Sequence, residues 1–532
     1  MSTLSTFIKY FRQAVAVLLL PWLAWSCQMV TDGDYDDEIE ASSTPDYINI
    51  TISVSASNSP VTRAYPSGGE YGDGSEKGIE ERENEVNNIT LIFYEDEDGI
   101  NTNSDNAKVV CVKTYDVHRY NNDDLPNSHT HKPGESEEFT DMEVLYTTGD
   151  QELIGTTLEK EKTYKVIVVA NADINVEVGN KIKDVREKVL TTVYNNVNGV
   201  GINASNFVMA SESDATVELK NPRFLSSNSI LNKDRYVYYF QCIHIERLAA
   251  RIDFWAKNSE GYKTKKANNE DYTIPGYEYK VKDANGNATQ DRFVLTRITP
   301  FNLNNGDEYV LKRSTTDFIT GGGFSSDPAI TYLADEVASD DGANWVLDPN
   351  TWRPSTNTST PIKDNSDNKY TNYVSKLSSI TETFANSYTV SMQSEQENKF
   401  AVSGNDNIII SYTKENTLIP GISPLYYHAT GLAFEGYYYE NGTGEGERRV
   451  YYYFIRHQGE NEEDTAYDAF TNDNINDAKK VTCPLNPVMN YGIVRNNIYR
   501  VSIENISSDA NNITLHIKVK KWDKFVHEPI YM

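Results

Sequence analysis

The pattern that most restricts the fold of this chain is a strict alternation of apolar and polar residues, which occurs near each end. The apolar positions are Ile48, Ile50, Ile52, Val54 and Ala56 in the first segment, and Ile513, Leu515, Ile517 and Val519 in the second. A period of two places every apolar side chain on one face of an extended chain. Both segments are therefore predicted to be half-buried β-strands.

The composition between these two segments is typical of an all-β protein. The chain contains 36 Tyr and 18 Phe beside many Asn, Thr, Ser and Asp residues, which suits short strands joined by polar turns. At 532 residues it exceeds what one hydrophobic core organises, so we expect two domains. We place them at residues 64–242 and 243–532, because a second series of strands begins at His244.

Two neighbouring segments of the N-terminal half carry different periodicities. The nearly continuous apolar run Tyr164–Ala170 predicts a strand that is buried on both faces. After it, apolar residues recur at helical spacing at Ile182, Val185, Val189, Leu190 and Val193. We therefore expect one helix packed beside the sheet, in a fold with one or few short helices.

The charge of the chain argues against nucleic-acid binding. Asp and Glu number 78 against 49 Lys and Arg, which gives a formal net charge of -29. No window concentrates enough positive charge to hold a phosphate backbone. The acidity is typical of a protein that must stay soluble at a crowded surface, and it identifies no partner.

The sequence lacks the motifs that identify catalytic and metal sites. It contains no Gly-x-Ser-x-Gly, His-Glu-x-x-His, phosphate-loop or Rossmann glycine pattern. Its four cysteines, Cys27, Cys111, Cys242 and Cys483, include no Cys-x-x-Cys pair. We therefore predict no enzyme activity, no catalytic residue, no metal and no cofactor.

The amino terminus has the layout of a lipoprotein signal. Basic residues precede the apolar run 14–25, which is too short for a permanent bilayer span. The run ends in Leu23-Ala24-Trp25-Ser26-Cys27, which resembles a lipobox, although Trp25 replaces the usual small residue. We predict a signal peptide at residues 1–26 and lipidation of Cys27. Each buried acyl methylene contributes about 0.8 kcal/mol to attachment at the outer membrane.

An exposed loop follows the first alternating segment. That segment ends at Ser57-Asn58-Ser59-Pro60, and the following residues 61–69 have the composition of a flexible loop. Arg63 in this loop is a site that a protease can reach, and Ala64 follows it. A cut between them would separate the lipid and the first strand from the rest of the chain.

Several segments in a fixed order match the pattern of a known family. They are Asn88–Gly99, Tyr164–Ala172, Asn206–Met209, Arg247–Phe254, Tyr452–His457, Tyr491–Val501 and Val519–Asp523. Together they resemble the Bacteroidales fimbrillin family, the subunits of major and minor fimbriae that are also called type V pili. The resemblance spans nearly the whole mature chain, is most specific at Tyr491–Val501, and is closest to the minor-fimbrium branch.

The resemblance implies a mechanism of assembly. It implies two transthyretin-like β-sandwich domains, export as a lipoprotein, and cleavage after an arginine by a trypsin-like protease, which Arg63-Ala64 fits. Residues 27–63, the lipidated tether and first strand, would then be a propeptide. In such proteins the loss of the first strand opens an apolar groove, and a strand from a neighbouring subunit enters it. Known donor strands lie at the carboxyl terminus.

The C-terminal tail, residues 513–532, is the candidate donor strand in this chain. After Val519 the next apolar residue is Trp522, a change of phase that predicts a bulge. The predicted donor residues are Ile513, Leu515, Ile517, Val519 and Trp522. The alternative is that this tail is the last strand of its own domain. Both interpretations hold if the tail packs in its own domain before assembly and leaves it later.

Two interpretations of function remain at this point because a fold does not decide a function. The first is a structural subunit of the fimbrial shaft that supports adhesion and biofilm formation, with other copies of itself and other fimbrial subunits as partners. The second is a fimbrial tip, an accessory adhesin or a carbohydrate-binding surface lipoprotein. The tyrosine-rich segments 437–439 and 451–454 either stack on sugars or pack across neighbouring strands.

Overall fold

A computed structural model describes much of the chain. The described residues are 46–54, 83–95, 106–119, 144–153, 157–196, 204–211, 214–225, 234–256, 258–315, 318–319, 323–324, 330–331, 345–349, 373–375, 388–393, 407–418, 428–455, 463–468, 491–507 and 512–521. Strands dominate this part of the chain, so the all-β prediction is confirmed.

The strands fall into an N-terminal and a C-terminal group. The N-terminal group is β1 (Asp46–Val54), β2 (Asn88–Tyr94), β3 (Val109–Asp116), β4 (His118–Arg119), β5 (Val144–Thr147), β6 (Gln151–Glu152), β7 (Thr163–Ala170), β8 (Val189–Leu190), β9 (Asn195–Asn196), β10 (Ala204–Ser205), β11 (Met209–Ser211), β12 (Ala215–Glu218), β13 (Arg223–Leu225) and β14 (Arg235–Arg247). The C-terminal group is β15 (Ala250–Trp255), β16 (Tyr262–Lys265), β17 (Asp271–Lys282), β18 (Ala288–Phe301), β19 (Leu303–Asn304), β20 (Glu308–Tyr309), β21 (Ser314–Thr315), β22 (Phe318–Ile319), β23 (Gly323–Phe324), β24 (Ile330–Thr331), β25 (Trp345–Val346), β26 (Tyr373–Val374), β27 (Val390–Ser391), β28 (Asn407–Thr413), β29 (Gly431–Tyr439), β30 (Glu447–Phe454), β31 (Glu463–Asp468), β32 (Asn497–Ile506) and β33 (Asn512–Lys521). The helical elements are α1 (Ile182–Arg186) and a 3₁₀ turn (Glu440–Gly442).

Each group forms one large sheet. The N-terminal sheet has the strand order β3-β2-β7-β11-β14-β1-β5-β4, with β12 paired to β7, β13 to β14 and β6 to β1. The C-terminal sheet has the order β16-β17-β18-β29-β30-β31-β33-β32-β15-β28, with β27 paired to β18. The strands β8, β9, β10 and β19 to β26 form smaller ladders beside these two sheets.

The first strand of each half is paired in the same way in both sheets. In the N-terminal sheet β1 runs parallel to β14 and antiparallel to β5, and in the C-terminal sheet β15 runs parallel to β32 and antiparallel to β28. Parallel neighbours require a long connection between them. The first strand of each half is therefore held beside a late strand of the same half.

The chain passes from the N-terminal sheet to the C-terminal sheet after β14. The strand β14 continues through Arg247, because its last residues pair with β11 as well as with β1. The C-terminal sheet begins at Ala250. By sheet membership, the change therefore falls between Arg247 and Ala250. The two halves also contact each other directly, since β8 pairs with β20.

The strands β2 and β7 carry core residues on both faces of the N-terminal sheet. In β7, Val166 and Val168 belong to one apolar cluster, whereas Ile167 and Val169 belong to a second cluster on the other face. The second cluster also contains Ile182 of α1. Both the two-sided strand and the packing of a helix beside the sheet are as the sequence predicts.

The helix is shorter than its apolar spacing predicts. It ends at Arg186, and Val189 and Leu190 form β8 instead of a further helical turn. They pair with Tyr309 and Glu308 of β20. Pairing with a distant strand thus overrides the local periodicity, and β-branched Val189 fits an extended backbone better than a helix.

Candidate functional site

The first alternating segment occupies an interior position in the N-terminal sheet. The strand β1 pairs in parallel with β14 from Asp46↔Tyr236 to Val54↔Ile245. On its other side it pairs antiparallel with β5, from Thr51↔Thr147 to Val54↔Val144, and with β6. A segment from the start of the chain is therefore inserted between strands that come much later.

The apolar face of β1 is part of the N-terminal core. Ile48 is 2% exposed, and Ile50, Ile52 and Val54 are each 0% exposed. All four belong to the apolar cluster that includes Val168 of β7. The fifth predicted position, Ala56, lies outside the described residues. Removing β1 would therefore leave a long apolar groove between β14 and β5.

The other face of β1 is bonded to β5, β6 and the turn between them. Tyr47 Oη donates to Glu152 Oε1 at 3.0 Å, and Asn49 Nδ2 donates to Asp150 Oδ1 at 2.9 Å. Thr147 Oγ1 donates to Asn49 Oδ1 at 2.8 Å. Burial and the hydrogen bond to Glu152 both raise the pKa of Tyr47. The groove therefore has an apolar floor and a polar rim.

The second alternating segment lies in its own domain. The strand β33 is paired antiparallel on one side with β32, from Ile506↔Ile513 to Asn497↔Lys521, and on the other side with β31. The predicted donor residues Ile513, Leu515, Ile517 and Val519 are thus in an interior strand of the C-terminal sheet. Pairing is regular from Val519 through Lys521, and Trp522 lies outside the described residues. The described part of the tail, residues 513–521, is therefore paired within its own domain.

The predicted processing sites lie outside the described residues. This applies to the signal peptide, Cys27, Arg63 and Ala64. The described chain resumes at Glu83, which is 0% exposed and lies at the junction of the two halves. The carboxylate of Glu83 accepts hydrogen bonds from Arg251 Nη1 at 2.9 and 3.1 Å and from the hydroxyl of Tyr412. Glu83 is thus fixed at this junction by its bonds to the C-terminal half.

A second buried cluster of charges was not predicted from the sequence. Arg495 Nη2 donates to Glu308 Oε1 at 2.7 Å and to Glu415 Oε2 at 2.8 Å, and all three side chains are 0% exposed. Burial and repulsion from Glu415 raise the pKa of Glu308 well above its usual value. Burial alone would raise the pKa of Glu415 as well, but attraction to Arg495 and the hydrogen bond with Glu308 bring it below its usual value. Burial thus favours the neutral form of Glu308, whereas Arg495 favours the ionised form of Glu415.

This cluster has a structural role, because its charged atoms are fully enclosed and directed at each other. Arg495 Nη1 also donates to the backbone oxygen of Val310 at 3.0 Å, next to the β20 strand that pairs with the N-terminal half. The only sequence signal for it was Arg495, which lies in the most specific of the matching segments. Its two carboxylates are far away in sequence, Glu308 in β20 and Glu415 just after β28, and no local pattern marks either of them.

The tyrosine-rich segments pack inside the C-terminal sheet. Tyr439, Tyr451, Tyr452 and Tyr453 are 0–1% exposed and Phe454 is 3% exposed. Tyr451 and Tyr452 contact Phe293 and Phe301 edge to face, with ring centroids 5.8 and 6.1 Å apart. These aromatic rings pack across strands, which is the second of the two interpretations, whereas Tyr437 and Tyr438 of the first segment are only partly buried.

Three further observations concern a free thiol, metal binding and membrane-spanning helices. Cys111 is a free, buried thiol, and burial raises its pKa. Within the part of the chain that the structure describes, no three His, Cys, Asp or Glu residues are grouped so that they could hold a metal ion. In that same part, no helix is both long and apolar enough to cross a bilayer.

Comparisons with known proteins found similar structures but no similar sequences. No family model and no curated protein matches the chain. Among solved structures it is similar to the tip fimbrial protein Mfa3 of Porphyromonas gingivalis with a C-terminal truncation (10% identity, TM-score 0.34, 90% of this chain and 99% of that chain covered). It is also similar to a fimbrilin of Porphyromonas gingivalis (12%, 0.33, 90% and 99%) and a fimbrial assembly protein of Parabacteroides distasonis (11%, 0.29, 90% and 99%). These neighbours are fimbrial proteins.

Proposed function

We propose that this chain is a structural subunit of a bacterial surface fimbria, in the shaft, that assembles by donor-strand exchange. It is exported as a lipoprotein through Cys27, held at the outer membrane, and cleaved after Arg63 by an arginine-specific protease. Cleavage releases β1, and the tail 513–532 of a neighbouring subunit takes its place. The lipid anchors only the precursor, because the cut removes the lipid together with β1.

The position of β1 is the observation that carries this proposal. A strand at the start of the chain has partners on both sides and four aliphatic side chains that are 0–2% exposed. Its loss leaves unpaired backbone groups on β14 and β5 together with an open apolar floor. An alternating strand satisfies both needs by β-augmentation. The tail carries four aliphatic residues at the same spacing.

The gross driving force for filling the groove is large. Burying four aliphatic side chains at about 1.5–3 kcal/mol each gives about 6–12 kcal/mol. The cost of ordering the incoming strand reduces this value. A joint that also restores the backbone pairing on two sides is therefore expected to be stable.

A reversible lock on the tail tests the exchange. Ser502 and His516 are directly opposite in the ladder between β32 and β33. Opposite positions in an antiparallel pair come close enough for a disulfide. We expect Ser502→Cys combined with His516→Cys to hold the tail at home when oxidised, so that protease-treated subunits remain monomeric. Reduction should restore fibres in negative-stain images and ladders in gels that are not boiled.

The matched controls are the two single-cysteine variants, which are expected to form fibres under both conditions. Fibres from the oxidised double variant, with the cross-link verified by mass spectrometry, would disprove exchange of this tail. Mass spectrometry of the new amino terminus identifies the cleavage position in the same samples.

A further inference from the structure

The strands β5 and β6 are joined to β14 through β1, whereas on the other side β5 pairs with β4, which directly follows β3 in the chain. Among the strands that the structure describes, β5 pairs with β1 and β4, β4 pairs only with β5, and β6 pairs only with β1. We call the segment 144–153, which holds β5 and β6, the flap. Release of β1 would remove the backbone ladder that joins the flap to β14. The flap and β14 are the two walls of the groove, and an incoming strand needs both of them as pairing partners.

One polar contact joins the flap to β14 at the start of β1. Arg235, the first residue of β14, donates from Nε to Asp150 Oδ2 of the flap at 2.6 Å. The two side chains are 5% and 10% exposed. The bond itself includes no atom of β1, although Asn49 bonds the other carboxylate oxygen of Asp150 and the Tyr47 ring centroid lies 5.9 Å from the Arg235 guanidinium carbon. The bond between Arg235 and Asp150 can therefore persist when β1 leaves.

A second polar contact joins the same two walls at the other end of β1. Tyr146 of β5, which pairs with Ile52, donates from Oη to the backbone oxygen of Asn84 at 2.8 Å. Arg247, the last residue of β14, donates from Nε to the backbone oxygen of Glu83 at 2.8 Å and also bonds the side chain of Asn84. Asn84 and Arg247 are both 1% exposed.

The bridge through Glu83 and Asn84 is itself fixed to the body of the protein. Asn171 Nδ2 donates to the backbone oxygen of Glu85 at 2.8 Å, and the backbone nitrogen of Asn87 donates to Asn171 Oδ1 at 2.9 Å. Glu83 is bonded to Arg251 of the C-terminal half. The bridge lies after Arg63 in sequence, so it stays with the subunit after the proposed cut.

We infer that Arg235–Asp150 and Tyr146–Asn84–Arg247 are positioning ties that hold the flap against β14 once β1 has left. They keep the emptied groove two-walled, so an incoming strand meets a preformed site and does not have to order the flap itself. This inference rests on the proposed release of β1. It does not depend on which strand replaces β1.

Rebinding of the native first strand tests the ties. The full chain, carrying the oxidised Ser502–His516 lock, is cleaved with an arginine-specific protease, and a fluorescent peptide of residues 46–56 is added to the emptied subunit. Tyr146→Phe removes one hydroxyl and keeps the ring in the core. We expect its affinity for the peptide to fall about tenfold, the factor that one buried hydrogen bond supplies. Arg235→Gln, at the other tie, should have a similar effect.

Tyr164→Phe is the matched control, because Tyr164 is a buried tyrosine of the same core whose hydroxyl accepts from the backbone nitrogen of Glu159 and joins neither wall. The uncleaved variants should melt like the control, since β1 still connects the walls. Hydrogen exchange in residues 144–153 should rise in Tyr146→Phe only after cleavage. Equal peptide affinity in Tyr146→Phe, Arg235→Gln and Tyr164→Phe would disprove the positioning role of the two contacts and leave the proposed function intact. A wild-type subunit that never releases β1 would overturn both.

Discussion

Replacing Ile50 by alanine should destabilise the precursor and leave the cleaved subunit unchanged. Ile50 is 0% exposed and lies in the middle of β1, within the N-terminal core. Truncating a buried isoleucine costs about 2–5 kcal/mol, because transfer free energy is lost and a cavity remains. The backbone bonds between Ile50 and Thr148 are unaffected, since the change concerns only the side chain. After cleavage and release of β1, residue 50 is no longer part of the folded subunit.

Urea unfolding before and after treatment with an arginine-specific protease measures this difference. The oxidised Ser502–His516 lock is included so that assembly adds no stability to the cleaved sample. Val168→Ala is the matched control. Val168 is 0% exposed in the same core but lies in β7, which remains after cleavage. It should lower the free energy of unfolding by about 2 kcal/mol in both samples.

Two results would refute this reasoning. If Ile50→Ala lowers the free energy of unfolding of the cleaved sample as much as that of the precursor, then β1 stays bound after cleavage. If it lowers neither, then the burial of β1 does not stabilise the precursor, and the groove is not an apolar acceptor site.

Four further changes have defined outcomes. Arg63→Ala should leave a longer, lipid-anchored form that does not polymerise, as seen by mass spectrometry and electron microscopy; normal fibres would contradict the cleavage proposal. Deleting residues 513–532 should abolish polymer ladders on immunoblots while the monomer is still exported, and persistent ladders would exclude this tail as the donor. Glu415→Gln should destabilise the fold more than Glu308→Gln, at a cost of about 3–5 kcal/mol, because burial raises the pKa of Glu308, whereas for Glu415 attraction to Arg495 outweighs burial and lowers the pKa. In urea titrations, the stability that Glu415 contributes is present above the usual pKa of a glutamate and is lost as the pH falls through its lowered pKa; equal effects of the two substitutions would contradict these opposite pKa shifts.

Local patterns predicted the strands that matter most for the proposed function. Strict alternation identified β1 and β33, and a continuous apolar run identified β7, because side-chain periodicity in strands is a local property. The partners of these strands were not predictable in the same way. Nothing near Ile50 indicates that it lies beside Phe240, since that neighbour is determined by the whole topology of the sheet.

The buried charge clusters were missed for the same physical reason. The bonds from Glu83 to Arg251 and to Tyr412 join residues 168 and 329 positions apart, and no spacing rule applies to such pairs. In the case of β8, a distant partner changed the secondary structure itself, because pairing with β20 ended the helical pattern after Arg186. Sequence periodicity thus identifies elements, and tertiary pairing decides where they end and what they contact.

The order of events in the proposed assembly follows from the pairing of the two alternating strands. At home β33 lies between β31 and β32, and in an emptied groove it would lie between β14 and β5. The tail thus has two paired neighbouring strands in either position. Backbone pairing alone therefore does not drive the exchange. The competing strand decides the outcome instead, and before cleavage that competitor is β1 of the same chain.

A tethered β1 competes at an effective concentration in the mM range, far above that of any free tail. In the proposed assembly, cleavage removes this advantage, because β1 is then no longer part of the same chain as the groove, while the tail stays attached to a neighbouring subunit. A peptide of residues 46–56 added in large excess should therefore inhibit elongation of cleaved wild-type subunits. A peptide with aspartate at positions 50 and 52 is the control, since a charge cannot be buried on the apolar floor without a partner. Equal inhibition by both peptides would show that the effect is not competition for the groove.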